Sequence, residues 1–194
     1  MNSRIFLNLL IIFCLSISLP GKILCAEKQP KADQQTFPDL SFQNILSSGD
    51  RMYLGISGKA SFTFREITAD LIIIDLTNTY CFKCKENIPV LNEVFREIEN
   101  SSPLKGKVKI VSIAIGNTRN EIESYKREHK PLYPLIADPF FAVHKALGSP
   151  RVPYSLFIKS DASGNRIIWK THQGIFEAAS SLLCDINNFM SQKF

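Results

Sequence analysis

Apolar residues in this chain recur with two spacings. Leu71-Ile72-Ile73-Ile74-Asp75-Leu76 is a run broken only by one acid, and 108–115 is a second, mostly apolar run. Such runs predict strands covered on both faces. Between them Ile88, Leu91, Val94, Phe95 and Ile98 return every three or four residues among polar neighbours. That spacing predicts an amphipathic helix over about 82–100, stopping at Ser101-Ser102-Pro103. Asn117 or Thr118 can cap a polar helix running to about residue 129. Strand, helix, strand, helix predicts a parallel βαβ core. A short strand near 134–137, a helix over 139–147, strands over 154–159 and 166–171, and a helix over about 176–190 complete the reading. Ser163-Gly164 and Gly164-Asn165 turn the last two strands into an antiparallel hairpin.

Before residue 71 the segments are short. Residues 37–42, 51–59 and 60–64 alternate apolar and polar positions between glycines, predicting a small N-terminal β-hairpin ahead of the main sheet. Residues 27–36 are polar and read as a flexible leader. Residues 1–26 read as a secretory signal, with Arg4 at its start, an apolar stretch over 5–19, a Pro20-Gly21 break, and cleavage expected after Ala26. An uncleaved anchor is the alternative, but about 15 apolar residues fall short of the roughly 20 that span a bilayer. A lipoprotein through Cys25 is a third possibility, although Lys22, Ile23 and Leu24 fit poorly before a modified cysteine. The folded domain is expected over 37–194, in a periplasmic or otherwise extracytoplasmic compartment and as a monomer.

Composition narrows the class. At 194 residues, 45% apolar and 21% charged, the chain can bury a core without staples. Arg4 and Lys22 supply two of the formal +5 charges, leaving +3 after residue 26. No dense run of Lys and Arg marks a nucleic-acid groove, so no nucleic-acid partner is expected.

Signal removal takes Cys14 and Cys25 away and leaves Cys81, Cys84 and Cys184. A close pair plus an outlier suggests a redox site and a buried, inert thiol, since Cys184 falls among Leu182, Leu183 and Ile186. Cys81-Phe82-Lys83-Cys84 lies where the first long strand gives way to its helix. A thiolate at a helix start faces unpaired N–H groups and the positive end of the helix dipole, which lower the pKa expected of Cys81. Cys84 can then close and reopen a disulfide with it. A CxxC is also half a zinc site, but Cys184, His129, His144 and His172 lack paired spacing, so no metal is expected. A purely structural disulfide is the remaining alternative.

The stretch from Ile74 to Lys85, with Pro89 five residues after Cys84, resembles the active-site segment of thioredoxin-like proteins. Arg151-Val152-Pro153-Tyr154 is similar to the family's cis-proline loop. The N-terminal hairpin and the segment near 117–147 resemble the exported TlpA-like and redoxin branches. The resemblance implies an α/β fold with a central mixed sheet flanked by helices, a hairpin extension and a strand-helix insert. It implies a thiol-disulfide oxidoreductase with Cys81 as nucleophile, Cys84 as resolver and Asp75 as the buried acid behind Cys84. It implies further that Val152, Pro153, Tyr80 and Phe82 meet a protein substrate, that a redox-active disulfide replaces any cofactor, and that a redox partner protein exists. Reductant supply for cytochrome c maturation is a special case.

This sequence departs from the family in having Tyr80 where Trp is commoner and Phe82-Lys83 in place of Gly-Pro. Two other readings stay open. Similar peroxiredoxins place Thr where this chain has Asn78, and similar Cu(I) carriers space their cysteines CxxxC, although His144 or His172 can complete a copper site. His144 and Trp169 are otherwise read as packing residues.

Overall fold

The computed structural model describes residues 35–192 except 44 and 162, so the signal, the cleavage point and most of the leader lie outside the described residues. The long apolar runs become β3 (Leu71–Thr77) and β4 (Val108–Ile115), every residue of both being buried. They pair in parallel through α2 (Phe82–Asn100), with Ile73 opposite Ile110. The crossover repeats through α3 (Arg119–His129) to β5 (Leu135–Asp138), again parallel. A short α4 (Ala142–Ala146) then leads to β6 (Tyr154–Ser160) and β7 (Arg166–Gln173), both antiparallel additions. The five-stranded order is β5-β4-β3-β6-β7, closed by α5 (Ala179–Ser191).

Side-chain alternation splits the core in two. Leu71 and Ile73 of β3, with Val108 and Ile110 of β4, pack under α2, α3 and α5. Ile72, Ile74 and Leu76 face the other way, against Val143 of α4 and a layer of phenylalanines from residues 37–64. Trp169 is packing, as read, meeting Phe157 and Phe189 edge to face.

The N-terminal layer differs from expectation. Its strands β1 (Ser41–Gln43) and β2 (Ser61–Thr63) are antiparallel, but a helix, α1 (Ser48–Leu54), lies between them where 51–59 read as strand. The alternation of Met52, Leu54 and Ile56 lost to capping. The Ser47 side chain accepts the Asp50 N–H, and Gly55 ends the helix at φ 70°, a conformation open to glycine. Pairing also begins one residue earlier than Phe37: Thr36 bridges Ile167 of β7. No helix among the described residues is long and apolar enough to cross a membrane.

Candidate active site

β3 ends at Thr77, and four residues later the chain turns into α2. Cys81 is the N-cap, with φ −81° and ψ 111°, so its sulfur sits where a Ser or Asp oxygen usually caps a helix. Its Sγ accepts the Cys84 N–H at 3.1 Å and is joined to Cys84 in a disulfide, the Cα atoms being 5.3 Å apart. The two sulfurs are not equivalent. Cys81 is half-buried, whereas Cys84 lies on the inner face of the first turn and is 1% exposed.

The loop ahead of Cys81 is tied to the loop after β4. Asn78 Nδ2 donates to the Ile115 carbonyl, and Asn78 Oδ1 accepts from the Tyr80 N–H. Buried Asn117 accepts the Thr79 N–H and donates to Thr79 Oγ1. The Tyr80 hydroxyl donates to Glu121 Oε1 at 2.6 Å. Glu121 also closes a capping box with Thr118 at the start of α3. Tyr80's hydrogen bond and those of Thr118 hold the Glu121 carboxyl down at about 2. Polar residues that read in sequence as caps and surface therefore fix where Cys81 stands.

Asp75 is 3% exposed on the α2 side of β3. Burial pushes its carboxyl up to about 6, against the hydrogen bond from Ser112 at 3.0 Å and the influence of Asn87. Asn87, on α2, is fully buried, and its Oδ1 accepts the Phe176 N–H at 2.9 Å. Asp75 Oδ1, Asn87 Nδ2 and Ser155 Oγ lack completed hydrogen bonds.

The Val152-Pro153 peptide is cis. Leu76 pairs with Tyr154, so Pro153 comes alongside Thr77 at the sheet end from which Cys81 emerges. The Pro153 carbonyl accepts from Gly174 N–H and Gln173 Nε2, and the Arg151 carbonyl also accepts from Gln173 Nε2, bracketing Val152. Tyr80 and Phe82, either side of Cys81, are 77% and 75% exposed. Phe140, Phe141 and Ile175 are exposed at the same end of the sheet. Phe141 lies over Gly116, where a Cβ would run into its ring.

A strand running straight into a helix capped by a disulfide-bonded CxxC, with Pro89 inside that helix and a cis proline on the neighbouring strand, matches known architectures. A secreted thiol-disulfide isomerase from Corynebacterium glutamicum superimposes with a TM-score of 0.60 at 15% identity, covering 84% of this chain and 90% of that one. The chain has the thioredoxin-like fold. A thioredoxin-related protein from Neisseria meningitidis serogroup B, at 20% identity and TM-score 0.53, covers 68% of this thioredoxin-like chain and 93% of its own. The thioredoxin domain of a Bacteroides vulgatus thiol-disulfide oxidoreductase, at 12% identity and TM-score 0.57, covers 82% and 99%. In sequence the chain is 26% identical over 121 residues to chloroplastic thioredoxin Y1 of Arabidopsis thaliana, a match spanning 62% of this chain and 55% of that protein. No family model matches.

The remaining sequence candidates are dispersed in this thioredoxin-like fold. Nε2 of His144, on α4, donates to the Pro150 carbonyl, and His172 stacks on Phe176. Among the described residues no three His, Cys, Asp or Glu side chains gather as a metal site. Cys184 is half-buried on α5 and disulfide-bonded, which corrects the expectation of a buried, inert thiol. Asn87 escaped the sequence reading. Its signal was positional, because 84, 87, 91, 94 and 98 form the inward stripe of α2 and Asn87 is its polar member.

Proposed function

We propose that this chain is a thiol-disulfide oxidoreductase acting on protein thiols and disulfides outside the cytoplasm. The observation that carries the reading is Cys81 at the N-cap of a 19-residue helix, disulfide-bonded to a buried Cys84. In the dithiol state the helix N-terminus and the Cys84 amide favour the Cys81 thiolate over the thiol. That thiolate attacks a substrate disulfide, forming a mixed disulfide and releasing one substrate sulfur as thiolate. Cys84 gives its proton to the Asp75 carboxylate and attacks the Cys81 sulfur. The second substrate sulfur leaves, the Cys81-Cys84 disulfide forms, and two electrons have passed to the substrate. A dithiol partner reverses these steps to reduce the enzyme.

The exposed Tyr80 and Phe82 and the Val152-Pro153 turn supply an apolar rim and an extended backbone for a protein segment to lie on. Cys81→Ser is expected to abolish disulfide reduction in an insulin assay, while Cys84→Ser accumulates mixed disulfides. Equal activity in both variants would refute the assignment. The protein captured on Cys84→Ser also tests the narrower reading of reductant supply to cytochrome c maturation, which requires an apocytochrome or its thiol carrier among the captured species. An extracytoplasmic location predicts an exported form beginning near Glu27, which N-terminal sequencing checks.

A further inference from the structure

We propose that Asn87 is a positioning residue: its buried side-chain amide points at Asp75 from one side while gripping the 174–176 loop with the other, and so sets the proton affinity of the acid behind Cys84. The consequence for Cys84 rests on the oxidoreductase reading; the link between Asn87 and Asp75 does not.

The geometry is specific. Asn87 follows Cys84 by three residues, so both project from one face of α2, and both are inaccessible to water. An amide that is fully buried costs stability unless both of its ends are used. Oδ1 is used, since it accepts the Phe176 N–H. Nδ2 has no completed hydrogen bond, and the Asp75 Oδ1 atom is buried with the same deficit. The amide is close enough to lower the proton affinity of Asp75 without reaching full hydrogen-bond geometry. Asp75 Oδ1 is thus a buried, unpaired acceptor with two unpaired donors on the elements packed around it, Ser155 Oγ on β6 and Asn87 Nδ2 on the helix side. Ionisation of Asp75 draws the Asn87 amide closer, because a carboxylate accepts more strongly than a carboxylic acid.

The other groups around Asp75 do not supply this. Ser112 of β4 already donates to Oδ2, and the Ser155 hydroxyl of β6, although unpaired, does not lower the proton affinity of Asp75 as Ser112 and Asn87 do. Tyr125 of α3 and Tyr133 are phenols that burial and, secondarily, the Asp75 charge raise, Tyr125 to about 12. Cys84 is the remaining titratable neighbour, contributed by α2. Asn87 is thus the amide among these groups that stabilises the Asp75 carboxylate from the helix side. Because its other end holds the Phe176 N–H, displacing the 174–176 loop would disturb the same amide.

The test is the carboxyl titration of Asp75, followed by carbon-13 NMR of the reduced full chain and assigned by its loss in Asp75→Asn. Asn87→Leu, branched alike with the same number of heavy atoms, and Asn87→Ser, in case the larger leucine does not fold, are each expected to raise the Asp75 midpoint by about one pH unit. In single turnover, the same variants are expected to slow release of substrate from the mixed disulfide about five-fold at pH 6 and to approach the wild-type rate by pH 8. In an Asp75→Asn background, Asn87→Leu is expected to leave the pH profile unchanged, which a loop-holding role alone does not predict. A midpoint within about 0.2 of wild type in a folded Asn87 variant overturns the proposal. If the wild-type chain reduces no disulfide but the midpoint still moves, the oxidoreductase reading fails and the link between Asn87 and Asp75 stands.

Discussion

Tyr80 leaves three-quarters of its surface to solvent, yet its hydroxyl is committed to Glu121 across the gap between two loops. Tyr80→Phe keeps the ring beside Cys81 and removes only that bond. The Glu121 carboxyl, held at about 2 chiefly by this hydrogen bond, is then expected to titrate closer to its ordinary 4.5, read by NMR. Because the folded value is depressed, the matching stabilisation is present above the ordinary carboxyl range and is lost as pH falls through about 2. An unchanged titration would show that Thr118 alone holds the carboxylate. At this scale Cys81 and Cys84 were legible from their place where a strand gives way to a helix, whereas Asp75 and Pro153 were picked out only by the resemblance to thioredoxin-like proteins. Asn117 was legible only as a candidate cap of α3, a place that Thr118 takes, and Glu121 was not singled out. Their bonds to Thr79 and Tyr80 span 38 and 41 residues, and a one-dimensional pattern carries no trace of such pairings.

Among the elements, β3, α2, β4 and α3 followed directly from periodicity, since long runs leave one spacing dominant. The segment from 48 to 59 did not, because seven helical residues with a single buried side chain, Leu54, give too little periodicity to outweigh a chance alternation. What decides α1 is its ends. Ser47→Ala removes the acceptor for the Asp50 N–H and is expected to cost about 1 kcal/mol in urea unfolding, while disulfide reduction at Cys81 stays unchanged. A loss of activity without loss of stability would mean that α1 communicates with the site. The small β1-β2 sheet was foreseen, but not the helix that separates its strands.

For the whole molecule, a pH effect on folding is expected from the buried Asp75. Its folded value near 6 lies above the ordinary 3.8, so the folded chain holds a proton that the unfolded chain releases between those two values. Stability is therefore highest, as far as this group is concerned, below pH 4, and declines as pH rises to 6. Asp75→Asn removes that decline. Relative to wild type, the variant is expected to gain on the order of 3 kcal/mol between pH 4 and pH 8, measured by urea unfolding at both. A gain in the opposite direction would mean that the carboxylate is better satisfied inside the protein than in water. The general architecture was legible because the CxxC and the strand order agree with one another; the polar packing between layers was not. Thr36 pairs with Ile167, and Gln192 lies beside Asp70 and Ser160, at the margin of the sheet where β3 begins. From Ile167 to Gln173 the strand runs about 20 Å toward the sulfurs. Both ends of the described chain thus lie at the pole opposite Cys81, so a tether joined at residue 35 or residue 192 starts about one strand length from the sulfurs.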